Sequence, residues 1–192
     1  MKTLAALSLV AALLVGASSA HAQMKIAARA GAWTAYVGIN ADGKPMCRMT
    51  STSDIRNVHV KWASGNLFIH LVKDNWKIPV HTEMPLAIQF DEEAPFEGTA
   101  KSTLGGAHVI EFVVRETADA RRFIDQFATA DRMRIKFGGN EHDWVMRMDG
   151  SDTIARRFTN CVAAVKKKMG PATQPFETEA PKHKQRPSTD EW

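Results

Sequence analysis

The sequence predicts an α+β domain rich in β-structure, an antiparallel curved sheet or β-sandwich carrying two short helices and one disulfide. Three observations predict it. Apolar residues recur with period two through most of residues 23–165, and two segments switch to three- and four-residue spacing. The only two cysteines, Cys47 and Cys161, stand 114 residues apart.

Residues 1–22 have the organisation of a secretory signal peptide. Lys2 gives a short positive region, residues 4–15 are an apolar run broken only by Ser8, and Ala20-His21-Ala22 places small residues at the cleavage positions. Cleavage is expected after Ala22. The apolar run is short for a hydrocarbon core of about 30 Å, which argues against a retained anchor, and no later segment is apolar enough to span. The expected destination is the periplasm or the medium. In that oxidising setting two cysteines pair more often than they stay free. A Cys47–Cys161 bridge would stabilise by up to about 4.7 kcal/mol in the chain-entropy model for a loop of about 100 residues. Two buried thiols or one reactive cysteine are the alternatives, and no CxxC or Cys-His signature supports the second.

Element by element, Trp33, Ala35, Val37 and Ile39 alternate along a first strand, Asn40-Ala41-Asp42-Gly43 turns the chain, and Cys47 and Met49 follow on a second. Residues 56–72 read as a hairpin. With Gly65-Asn66 as its two-residue turn, Val60 faces Leu71 and Trp62 faces Ile69 on one apolar side. The same register makes His59 and His70 diagonal neighbours on the other side, with Lys61 opposite His70. That lysine opposes a dication and no third ligand is fixed by spacing, so no metal site is expected. His81, His108 and His142 are isolated. Leu86, Ile88 and Phe90 form the inner side of another strand. An acidic turn holding Asp91, Glu92, Glu93 and Glu97 ends it, without the alternating ligands and central glycine of a calcium loop. After Gly105-Gly106, Ile110, Phe112 and Val114 mark a strand.

Residues 117–130 read as a helix with Thr117 as its cap, burying Ala120, Phe123, Ile124 and Phe127. A second hairpin follows, with Gly139-Asn140 as turn. It sets Ile135 opposite Trp144 and Met133 opposite Met146 on the apolar side, and Lys136 opposite Asp143 and Arg132 opposite Arg147 on the other. The last helix, capped by Ser151 or Asp152, buries Ile154, Phe158, Cys161, Val162 and Val165 at helical spacing. Cys161 on that stripe is placed to staple the helix to the sheet.

The formal net charge of +4 sits mainly outside the domain. Residues 166–192 hold six Lys or Arg against four Asp or Glu, whereas residues 23–165 hold eighteen against seventeen. The segment 166–192, with prolines at 171, 175, 181 and 187, has the composition of a disordered tail. Its first lysines, 166–168, complement the dipole at the end of the last helix. Nucleic acid is therefore not the expected partner. The candidate anion or partner surface in the domain is Arg132, Arg134, Lys136 and Arg147. Like charges placed opposite each other are mildly unfavourable, so a partner would give Arg132 and Arg147 a reason to sit together. The competing reading is a solvated face trimmed by Asp143.

No catalytic residue and no cofactor is expected. The chain lacks a G-x-S-x-G elbow, an H-E-x-x-H helix and a phosphate-cradling glycine loop. A hydrolase assembled from distant residues, using His142 with Asp143 or the acidic turn, is the enzymatic alternative. The leading expectation is an exported, non-catalytic protein that binds a protein or an anionic envelope component. Trp33 followed by a hairpin cysteine, then Trp76-Lys77-Ile78-Pro79 and a strand ending in Phe90-Asp91 form the first part of a pattern. A short helix and a tryptophan strand running into Gly150-Ser151 with Ala155, Phe158 and Cys161 complete it. Over roughly residues 30–165 this pattern resembles the invasion-associated locus B group of secreted alphaproteobacterial proteins. The chain departs from the group at Tyr36 and Val37, where members often carry a cysteine. The resemblance implies a small exported β-rich protein acting through its surface at the envelope, or a secreted virulence or host-interaction factor.

Overall fold

Where side chains alternate between apolar and polar, the chain forms strands. The computed structural model describes residues 23–51, 55–63, 66–103, 106–115 and 117–169. The expected leader, residues 170–192, and the turn glycines Gly65 and Gly105 lie outside them. In chain order the elements are β1 (Gln23–Ala30), β2 (Trp33–Ile39), β3 (Pro45–Ser51), β4 (Arg56–Ala63), β5 (Asn66–Lys73), β6 (Glu83–Phe90), β7 (Phe96–Ser102) and β8 (Val109–Val114). Then come α1 (Thr117–Thr129), β9 (Arg132–Phe137), β10 (Trp144–Arg147) and α2 (Ser151–Met169). Lys166, Lys167 and Lys168 form the last turn of α2.

All strand pairs are antiparallel and make one open sheet in the order β1-β2-β3-β4-β5-β8-β7-β6-β9-β10. The sheet is strongly curved. The Phe127 ring of α1 lies 4.7 Å from Trp33 of β2 and 6.3 Å from Phe90 of β6, strands six places apart in that order. The sheet thus curls around α1, and Phe90 and Phe96 both meet Phe123 edge to face. Phe127 is fully buried, so Phe127→Ala should cost about 3–5 kcal/mol. α2 packs on α1 and across β1, β2 and β3, and the Cys47–Cys161 disulfide fastens it to β3. The two ends of the sheet approach at one corner. Gly31 and Gly150 both have positive φ, and a Cβ on Gly150 would lie 2.6 Å from the Ala30 carbonyl carbon, so this backbone contact requires glycine.

Three details differ from the sequence-based expectation. First, the β4–β5 ladder pairs Val60 with Ile69 and Trp62 with Leu67, two residues away from the expected register, because Asn66 joins β5 opposite Ala63. A shift of two keeps every side chain on its face. It brings His59 directly opposite His70. Second, β1 and β7 are strands that alternation does not announce. β1 is an edge strand with Ile26 48% exposed. β7 begins at Phe96, inside the segment read as an acidic turn, and carries Gly98, whose missing side chain leaves room for the Phe112 ring. Third, β10 begins at Trp144, so the expected Lys136–Asp143 pair lies beyond the ladder. The rest of that hairpin has the expected register, with Ile135 opposite Trp144, Met133 opposite Met146 and Arg132 opposite Arg147.

Candidate functional site

Along β9, period two sends Met133 and Ile135 into the core and leaves Arg132, Arg134 and Lys136 exposed on the outer side. Successive cations on one strand face are about 6.6 Å apart. The neighbouring strands extend this face. Arg134 lies between Gln89 of β6 and Val145 of β10, Lys136 pairs with Ala87, and Arg132 pairs with Arg147. Arg147 is neutralised by Asp149 at 3.0 Å. Among the described residues no carboxylate pairs with the side chains of Arg132, Arg134 or Lys136. Beside them Gln89, Asp91, Glu92, Arg132, Arg134 and Val145 line a shallow cleft of about 70 Å³. The Asp91 carboxylate there accepts the backbone N–H groups of Asp131 and Arg132 at 3.0 and 2.9 Å. It therefore holds the start of β9 against β6.

The inner side of the same hairpin has no free charge. Glu141 accepts two hydrogen bonds from Lys73 Nζ at 2.8 and 2.9 Å, one from Trp76 Nε1 at 2.9 Å and one from Trp144 Nε1 at 3.0 Å. Burial pushes the Glu141 carboxyl up, but donation from Lys73, Trp76 and Trp144 outweighs it and brings the group to about 2. Trp76 stacks on Trp144 at 5.3 Å, and Phe137 closes the aromatic cluster. This node ties the end of β5 to the β9–β10 loop. Sequence reasoning missed it, since Lys73 and Trp76 are 68 and 65 residues from Glu141.

The expected histidine neighbours sit in a polar row on the outer side of the central strands, where Thr50, His59, His70 and Glu111 are successive cross-strand partners. Lys61 Nζ lies 3.0 Å from His70 Nδ1, and His70 Nε2 lies 2.8 Å from Glu111 Oε2. An ammonium can only donate, so this chain of contacts selects the neutral His70 tautomer with its proton on Nε2. Burial and then Lys61 lower the His70 pKa, against the pull of Glu111. Burial, followed by Arg48, Lys61 and His70, lowers His59 to about 4. His59 Nδ1 is 3.0 Å from Thr50 Oγ1. No group of three His, Cys, Asp or Glu among the described residues is placed to hold a metal ion. His142 and Asp143 are both exposed.

A second concavity, of about 270 Å³, opens between α1 and α2 above the end of the β4–β5 hairpin. Trp62, Leu67 and Phe158 are its buried apolar residues, Ile124 and Val162 are half-buried, and Arg121, Asp125 and Lys166 lie exposed around it. Sequence periodicity assigns Trp62, Ile124, Phe158 and Val162 to apolar faces.

The class these features define is a disulfide-stapled α+β domain, with one open antiparallel sheet curled around a helix pair and its outer faces bearing the candidate surfaces. The crystal structure of invasion associated protein B from Bartonella henselae has a similar fold, with a TM-score of 0.50 and 16% identity, covering 78% of this chain and 99% of that chain. The likeness is one of fold, and it falls on the same group that the tryptophan, proline and cysteine positions resemble. No protein-family model and no curated protein matches the chain.

Proposed function

We propose that the chain is an exported, non-catalytic binding module whose outer β9–β10 face engages an anionic component of the cell envelope. The observation that carries this reading is the row Arg132, Arg134 and Lys136, three exposed cations on one strand that form no salt bridge among the described residues. Charges that served folding would be paired, as Lys73 is by Glu141. The Cys47–Cys161 bridge supports an oxidising compartment, in keeping with the leader-like residues 1–22. Among the described residues no helix is long and apolar enough to cross a membrane.

The test is binding to vesicles rich in anionic lipid and to neutral vesicles at rising salt. Anionic vesicles should bind and release the protein as salt is raised, since screening shortens the reach of exposed charges to about 8 Å at physiological strength. The double variant Arg132→Gln, Arg134→Glu should lose that binding while keeping its unfolding midpoint. Undiminished binding by the variant would remove the β9 face from consideration. The fold likeness to an invasion-associated protein favours a second reading, a secreted host-interaction factor. Fractionation separates the two, because release into the medium favours the factor and retention favours the envelope.

A further inference from the structure

From the groove between α1 and α2 we infer a binding site for a single-chain fatty carboxylate, separate from the β9 face. Three features of the groove point to that ligand. Its interior is an apolar slot, with Trp62 and Leu67 from the β4–β5 hairpin, Ile124 from α1, and Phe158 and Val162 from α2. Its volume of about 270 Å³ falls just under the range of roughly 300–1,000 Å³ for drug-sized ligands. That is room for one narrow chain.

The rim selects the head group. Arg121 of α1 and Lys166 of α2 are exposed lining residues, and neither has a carboxylate partner within salt-bridge distance among the described residues. Lys166 Nζ lies 5.7 Å from the Trp62 ring centroid, over the slot. Asp125 is the only acid in the lining. Two cations and one carboxylate leave a single positive charge, which a monoanion matches and a dianionic phosphate would exceed.

The disulfide gives the slot its rigidity. Cys47 is the cross-strand partner of Trp62, and Cys161 immediately precedes Val162. The bridge therefore ties the α2 wall to β3, the strand paired with the β4 strand that supplies Trp62 to the floor. A wall held before the ligand arrives lowers the ordering cost of binding.

The test is titration of the full-length protein with laurate, below the concentration at which laurate aggregates, followed by displacement of a fluorescent fatty-acid analogue. Saturable one-to-one binding is expected, with dodecanol, which lacks the charge, at least about tenfold weaker. Ala163→Trp adds bulk at an exposed lining position, and should abolish uptake at an unchanged unfolding midpoint. Lys166→Glu should weaken laurate about tenfold and leave dodecanol unchanged. The inference is overturned by an absence of saturable laurate binding, by equal binding of dodecanol, or by undiminished binding in Ala163→Trp. A dimer that Ala163→Trp disrupts, with no laurate uptake, would assign the slot to a second copy of the chain. Because the β9 face is untouched by these variants, anionic-vesicle binding at that face stands or falls independently.

Discussion

The β9–β10 hairpin has two sides that treat charge in opposite ways. Toward the Trp76 loop, one carboxylate, Glu141, takes four hydrogen bonds from three donors, and its side chain and that of Lys73 are each only 17% exposed. On the outer side, Arg132, Arg134 and Lys136 stand exposed, and none of them forms a salt bridge among the described residues. Burial explains the difference. A charge removed from water must be fully bonded or it costs several kcal/mol, whereas an exposed charge is solvated and remains free to meet a partner. The contrast sorts the charged residues of this hairpin into those bonded within the fold and those left to solvent.

The largest effect should come from the buried side. Glu141→Gln keeps the shape but replaces one acceptor oxygen by an NH₂ donor that faces other donors, and it strips Lys73 of its counter-charge. A loss of about 2–3 kcal/mol is expected in chemical unfolding, with the Trp76 and Trp144 fluorescence shifted toward that of exposed indole. Anionic-vesicle binding should survive. A stable Glu141→Gln variant that had lost binding would reverse the assignment of the two sides.

How much of this the sequence announces depends on distance along the chain. The face of each alternating strand, the β9–β10 register and the exposure of Arg132, Arg134 and Lys136 are local consequences of period two, and they were legible. The cysteine pair was legible because only two cysteines exist. The β4–β5 register was legible only modulo two residues, since pattern fixes the face and the turn fixes the register. β1 and β7 were not, because their side chains are mostly exposed and small or polar. The Glu141 node and the fatty-acid slot were hidden for a different reason. Each is assembled by curvature from segments far apart in sequence, and nothing in local spacing records that Lys73 will meet Glu141 or Trp62 will meet Lys166.

A middle case lies in the polar row, half-buried and charged only conditionally. His59 titrates at about 4 in the fold, against an ordinary value of 6.5, with Arg48, Lys61 and His70 facing it. The unfolded chain thus takes up the proton first. Stability from this group is present above pH 6.5 and is lost as pH falls from 6.5 to about 4. Fully expressed, the shift would be worth about 3 kcal/mol, and partial exposure of the ring reduces it to about 1–2 kcal/mol. The measurement is the difference in unfolding free energy between pH 7 and pH 4 for wild type and His59→Gln. The variant should lose less stability over that interval, and equal losses would show that groups other than His59 account for the acid sensitivity.

The smallest effect is the most diagnostic for the outer side. Arg132 is the direct cross-strand partner of Arg147, and like charges so placed repel, although Asp149 offsets part of the Arg147 charge at 3.0 Å. Arg132→Gln removes the repulsion and leaves the backbone N–H that Asp91 accepts in place. Urea unfolding at low salt should show a gain of about 0.2–0.5 kcal/mol, fading as salt is raised. Anionic-vesicle binding should weaken in the same variant. Opposite signs for folding and binding would mean that the fold tolerates this arginine and the partner requires it. A loss of stability beyond about 1 kcal/mol would instead place Arg132 with Glu141, among the charges that hold the hairpin together.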